Sequence, residues 1–192
     1  MVLASSSPRR RELLNEIGLD FTVSPVDIDE SVRDREDPMA YVWRLAIGKA
    51  EAVPALPADI VIAADTTVDV DGRILAKPAD DADARRMLSL LSGRAHRVHT
   101  GVAIRHEGRT VADVATTFVK LLPITDELME WYISTGEPMD KAGAYAIQGG
   151  AAILIDSVRG SITNVIGLPM DLLDQLMTTI GLSIADLTRR PS

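Results

Sequence analysis

The 192-residue chain has no cysteine, which excludes disulfide bridges and thiolate metal sites and is compatible with a reducing compartment. It has no window approaching the roughly 20 apolar residues that a membrane-spanning helix requires. No basic stretch followed by a long apolar one precedes the first serine, so no export signal is visible and the cytoplasm is the expectation. G-x-x-x-x-G-K-[ST] and G-x-G-x-x-G are missing, which removes the usual phosphate-loop and dinucleotide fingerprints, and G-x-S-x-G is missing too. Basic residues are outnumbered, 20 against 28 acidic, giving a net charge of −8. Nucleic-acid backbones and anionic membrane surfaces are repelled by such a chain except at a local basic site, so neither is an expected partner. Histidines number only 3, and His96 and His99, three apart on an expected strand, point to opposite faces and make a poor metal pair.

The hydrophobic share of 46% and charged share of 25% suit one globular domain with a substantial core. No repeat, low-complexity tract or Pro/Gly/Ser linker divides it. Against the acidic background one basic stretch stands out, SSSPRRREL near the start. Ser7 is a good N-cap and Pro8 suits the first helical position, so a helix is expected here, with Leu13, Leu14 and Ile17 at helical spacing and Gly18 as its stop. Arg9, Arg10 and Arg11 then crowd the positive end of the helix dipole, beside Ser5, Ser6 and Ser7. Cations are misplaced there unless an anion such as a phosphate chain joins them. A solvated helix face with a surface ion pair is the other reading.

Further along, FTVS alternates as a short strand. Asp37–Pro38 opens a second helix carrying Val42, Leu45, Ala46 and Ala50, with Lys49 late on it. DIVIAAD is an apolar, β-branched run expected to form a strand buried on both faces and ending at Asp65. TTVDVDGRILAKP reads as a hairpin with an Asp71–Gly72 turn, placing Lys77 beyond the return strand and within reach of Asp65. Asp80 caps a third helix running to Gly93, a long hairpin turns near Glu107–Gly108, and Thr125 to Ser134 is a further helix. AAILID is read as a strand, and the last helix contains Leu172, Leu173 and Leu176. The whole reads as one α/β unit with mixed strands in two lobes around a cleft; Lys120, Trp131 and Tyr132 are assigned to surface or core.

Arg9, Arg10, Glu30, Lys49, Asp65, Lys77, Asp140, Lys141 and Gln148 stand at element ends. Hydrolysis of a polyphosphate needs cations to hold oxygens, carboxylates to carry a divalent metal and a group to orient or deprotonate water. Glu30 and Asp65 are hard oxygen ligands suited to Mg²⁺ or Mn²⁺, although Glu30 also reads as an ordinary loop acid. The Gln148 amide can donate and accept, as pyrimidine recognition requires, while QGG also reads as a packed glycine turn.

Taken in order, LASSSPRRREL, Asp29–Glu30, RLAIGKA, AADTTV, LAKP, EPMDKAGAYAIQGG and GSITNVIGLP resemble the motifs of the Maf family of nucleoside triphosphate pyrophosphatases, over nearly the whole chain. The resemblance implies a single Maf-like α/β domain over residues 1–192, with two lobes around a central cleft as in inosine triphosphatase. It also implies a homodimer, a divalent cation (Mg²⁺, Mn²⁺ or Co²⁺) and cleavage between the α and β phosphorus atoms. Asp65 matches the family's proton acceptor; Arg10, Thr66 and Gln148 match positions tied to substrate choice and resemble the dTTP and UTP branch. The 7-methyl-GTP branch has tryptophan after the motif proline, where Arg9 stands here. Under this reading Ser5, Ser7, Arg9 and Arg10 receive the phosphates, Lys49 and Lys77 stabilise their charge, and Asp65 either takes the water's proton or, with Glu30, holds the metal. Ile162 and Ala146 depart from the family wording, at positions without charge. A nucleotide-responsive regulator of septum formation is the alternative function.

Overall fold

The computed structural model describes residues 1–188. β1 (Val2–Leu3) leads into α1 (Pro8–Glu16), β2 (Thr22–Val23), α2 (Pro38–Ala52), β3 (Val61–Val70), β4 (Arg73–Leu75), α3 (Asp81–Leu91), β5 (Ala95–His106) and β6 (Arg109–Leu121). There follow α4 (Asp126–Ser134), three short 3-10 turns, β7 (Ile155–Arg159), α5 (Ile162–Ile166), α6 (Met170–Thr179) and α7 (Ile184–Leu187). The strands form one mixed sheet in the order β2-β1-β3-β5-β6-β7, with β4 beside β3. β1 pairs parallel with both β2 and β3, whereas β3–β4 and β6–β7 are antiparallel. The α/β class with a mixed sheet is therefore as the sequence implies.

The chain divides into two compact units. The first comprises residues 1–65, 100–115 and the segment from Gly167 onward. Its core sets small side chains of α2 (Ala46, Ala50) against Ala4, just past β1, and Val61, Ala63 and Ala103 of the sheet. Small residues let helix and sheet approach closely, and Gly101 in β5 carries this furthest. A Cβ at Gly101 would lie 2.3 Å from the Val42 carbonyl oxygen and 2.9 Å from the Trp43 nitrogen, distances that only a glycine avoids. Gly101→Ala must push α2 off the strand. The expected cost is about 1–3 kcal/mol, read as a lower urea midpoint with an unchanged m-value. The start of α2 is fixed by Asp37, whose carboxylate accepts from the Met39 and Ala40 amides at 2.9 and 3.2 Å, with Pro38 at the first helical position.

The second unit, residues 66–99 and 116–166, has larger core side chains: Met87, Leu88 and Leu91 of α3 pack with Met129, Tyr132 and Ile133 of α4 and with Val98, Val119 and Leu121 of the sheet. Both central histidines are structural. His99 lies between Asp69 (3.2 Å) and the Thr116 hydroxyl (2.8 Å), and Asp69 also meets Arg97 at 2.8 Å. His96 meets the Tyr145 hydroxyl at 2.6 Å, and burial pushes its pKa down from 6.5 to about 4. The unfolded chain takes up this proton near pH 6.5 and the folded chain only near 4, so stability is full above 6.5 and is lost as the pH falls through that window. Between pH 7 and 4.5 the wild type should lose about 2–3 kcal/mol more than His96→Gln, measured by urea unfolding of both at each pH.

Three expectations need correction. β3 does not end at Asp65 but continues to Val70, because a basic side chain meets the Asp65 carboxylate and lets it stay inside the strand. FTVS forms only the two-residue strand Thr22–Val23. AAILID is not one strand: Gly149–Leu154 is 3-10 and β7 starts at Ile155. In that segment Ala151 and Leu154 are buried while Ala152 and Ile153 are exposed, a spacing of three that belongs to a 3-10 turn and not to alternation.

Candidate active site

Asp65 on β3 and Lys49 in the last turn of α2 are both almost entirely buried, 8% and 9% exposed. The ammonium of Lys49 lies 2.6 Å from Asp65 Oδ1 and 2.7 Å from Glu30 Oε1. One cation thus bridges two acids, one buried and one with its side chain 54% exposed. The two buried charges are stable only if they are matched closely, since each loses hydration on burial.

The loop bearing Glu30 is tied to the same helix. The Tyr41 hydroxyl donates to the Glu30 carbonyl at 3.0 Å. One turn on, Arg44 donates to both carboxylate oxygens of Glu36 at 2.7 and 2.8 Å and to the Ser31 carbonyl at 3.1 Å. This fork holds the Glu36 pKa down at about 2. Burial, reinforced by the negative charges of Asp65 and Glu30, pushes the Tyr41 phenol up to about 12, so it remains a donor at neutral pH. Helix α2 therefore supplies the bridging lysine and the pins that hold its exposed partner.

The arginine cluster divides by burial. Arg11 faces solvent and Arg9 is half-buried, whereas Arg10 turns inward and is buried. Its Nε donates to the Gly167 carbonyl at 2.8 Å and its Nη1 to Ser5 Oγ at 3.0 Å. Desolvation pushes its pKa down, with the charges of Asp65 and, less strongly, Glu30 opposing. Ser5 Oγ also accepts from the Ser7 amide at 3.2 Å. Ser7 stands at the N-cap of α1, but no side chain caps that helix and its first turn holds no acid. The start of α1 is accordingly an electropositive end carrying arginines and lacking a built-in anion.

The structure thus brings together Ser5 with Arg10, and Lys49 with Glu30 and Asp65. Thr66 directly follows Asp65 in the chain and begins the second unit, which also holds Lys77 and Gln148, both exposed. Among the described residues no group of three or more acids and histidines is placed to hold a metal. The chain offers two carboxylates, which suits Mg²⁺ or Mn²⁺ completed by phosphate oxygens and water, and does not suit a metal caged wholly by protein. Charge agrees with that: two acids and one lysine leave one negative charge for a cation. Sequence reasoning missed Tyr41 and Arg44, whose spacing of three on α2 was the available signal.

The profile of the Maf family, described as Maf-like protein, matches residues 1–180. The chain belongs to the Maf family. Among its relatives is a protein of Symbiobacterium thermophilum named dTTP/UTP pyrophosphatase, 48% identical over 185 residues, covering 96% of this chain and 95% of the relative. A Thermococcus gammatolerans protein of the same name is 50% identical over 176 residues, covering 92% of this chain and 94% of the relative. The Staphylococcus aureus Ham1 protein is a much looser likeness, at 16% identity and a TM-score of 0.48 over 97% of this Maf chain and 92% of that one. Among the described residues no helix is long and apolar enough to cross a membrane.

Proposed function

We propose that this Maf protein is a nucleoside triphosphate pyrophosphatase that hydrolyses dTTP and UTP to the monophosphate and pyrophosphate. The observation that carries the reading is the buried Lys49 bridging Asp65 and Glu30 in a chain whose near-full-length relatives bear that activity in their names. An acid–lysine–acid group has the cation and carboxylates that phosphoanhydride hydrolysis needs. Nothing comparable favours a regulator of cell division that only binds nucleotide.

In this reading Glu30 and Asp65 would hold a divalent cation, Mg²⁺, Mn²⁺ or Co²⁺, which neutralises phosphate charge and lowers the pKa of water. Water attacks the α-phosphorus in line; the new O–P bond forms as the bond to the α–β bridging oxygen breaks, and pyrophosphate departs with that oxygen. Asp65 would either share that cation with Glu30 or accept the proton released by the water. Lys49 holds Asp65 in place and offsets its charge, and Lys77 stabilises charge on the phosphates. Arg10, kept rigid by Ser5 and Gly167, presents a fixed cation, while Ser5, Ser7 and Arg9 serve the phosphates at the open start of α1. A homodimer in the cytoplasm belongs to the same proposal.

Base choice is assigned to Arg10, Thr66 and Gln148. A thymine or uracil ring offers two carbonyl acceptors and one N–H, which one glutamine amide can meet from both sides. Pyrophosphate release should therefore be faster with dTTP and UTP than with dATP, dGTP and 7-methyl-GTP. Gln148→Ala should narrow that gap by roughly tenfold, since a mismatched polar group costs about 1–3 kcal/mol. The check is kcat/KM for the five nucleotides at one fixed metal concentration. A wild-type preference for 7-methyl-GTP would reject the pyrimidine assignment.

A further inference from the structure

Thirteen positions before Gly150, one carboxylate ties the turn that follows Gln148 to the body of the second unit. Glu137 Oε2 accepts from the Gly150 amide at 2.9 Å, and Glu137 Oε1 accepts from the Tyr132 hydroxyl at 3.0 Å. Tyr132 is fully buried in the core, so the far end of this clamp does not move. Gly149 has a φ of +78°, and a Cβ there would lie 2.8 and 2.9 Å from the two Glu137 carboxylate oxygens. A Cβ on Gly150 would come 3.3 Å from Glu137 and 3.4 Å from Trp131. The backbone after Gln148 is thus pressed onto the carboxylate as closely as glycine allows. Glu137 is itself fixed: its amide donates to the Thr135 hydroxyl at 3.2 Å and its carbonyl accepts from the Lys141 ammonium at 2.9 Å. Gln148, by contrast, is exposed and immediately precedes the clamped turn.

We propose that Glu137 is a positioning residue for nucleotide selection: by clamping Gly150 to Tyr132 it sets the backbone from which the Gln148 amide is offered to the base. The inference rests on the assignment of Gln148 to base choice. An exposed amide on a free turn spends its contact on ordering itself, whereas one on a fixed backbone discriminates. Glu137 touches neither base nor phosphate in this role, so its loss falls on KM for the preferred nucleotides and on the ratio between substrates.

The test compares kcat/KM for dTTP and dGTP in wild type, Glu137→Ala, Glu137→Gln and Gln148→Ala. Glu137→Ala should lower the dTTP/dGTP ratio by roughly tenfold, mainly through a higher KM for dTTP. Glu137→Gln should restore most of it, because a glutamine oxygen still accepts from Gly150 and its amide, in place of the carboxylate oxygen that accepted from the Tyr132 hydroxyl, can donate to the tyrosine oxygen. A merely structural role would lower both substrates by one factor; an unchanged ratio in Glu137→Ala therefore overturns the proposal. Should that variant fail to fold, Gly149→Ala displaces the same turn from its other side: a compressed ratio supports the clamp and an unchanged one refutes it. If Glu137→Ala compresses the ratio and Gln148→Ala does not, Gln148 is not the base-reading group and the proposal falls with that assignment; if Gln148→Ala compresses it and Glu137→Ala does not, the clamp alone is refuted.

Discussion

Asp65→Asn should lower kcat for dTTP by about 10²- to 10⁴-fold while the chain stays folded. Asparagine keeps the shape of the side chain and an oxygen that can accept from Lys49 at the position now 2.6 Å away, so α2 stays attached to β3. Lys49 also keeps Glu30 as an ionised partner at 2.7 Å. The cation is therefore not stranded, and stability should fall much less than the 3–5 kcal/mol typical when one member of a buried pair is deleted outright. What disappears is a charge able to take a proton or hold a cation. The pH profile separates the two: with proton acceptance lost, the residual rate should rise with hydroxide as solvent takes over deprotonation. The measurement is kcat/KM against pH alongside the thermal midpoint. Near-normal turnover in Asp65→Asn would remove this residue from the mechanism.

Dialysis against EDTA should abolish turnover, and Mg²⁺, Mn²⁺ or Co²⁺ should restore it. A triphosphate brings several negative charges to a group that already has two acids and one lysine, and Arg10 is committed to Ser5 and Gly167. The fixed cations alone cannot carry that load, whereas a hard divalent ion shared between carboxylate and phosphate oxygens can. Among the described residues zinc-type ligation is not offered: there is no cysteine, His96 and His99 are both buried in hydrogen bonds of the second unit, and His106 lies against the Asp59 carbonyl. The assay is pyrophosphate release before chelation, after it and after each metal is returned. Full activity in chelator would show that lysine and arginine suffice.

What could be read from the sequence is what local chemistry dictates. Asp37–Pro38 and Asp80 announce the starts of α2 and α3 because a cap acts within three residues. Asp65 was visible as a carboxylate against a buried apolar run, and Lys49 as a lysine late on a helix. Their contact with Glu30 was not, since it joins three segments that meet only in the fold. Helix geometry alone made Arg10 one of three arginines in a first turn, and only the family resemblance set it apart; the contact that draws it inward, to the Gly167 carbonyl, lies 157 positions away. The same holds for AAILID, whose composition suits a strand but whose first turn is dictated by Glu137 through the Gly150 amide. Glu137 lay in a recognised motif, and nothing in its neighbours marked it as the anchor of a turn thirteen residues on.

The bridging ammonium of Lys49 has a consequence for how the protein is made. Where acids are gathered for a metal and nothing else balances them, the apo chain is forced apart by its own repulsion, and folding waits for the ion. Here the balancing charge is built into the polypeptide and arrives with α2. The first unit, which needs the segment from Gly167 for completion, can close around Glu30 and Asp65 without an ion, and under the proposed mechanism the arrival of one would be an exchange of partners within a finished protein. Folding and metal loading would then be separate events, and loss of the ion would cost activity while leaving the fold in place.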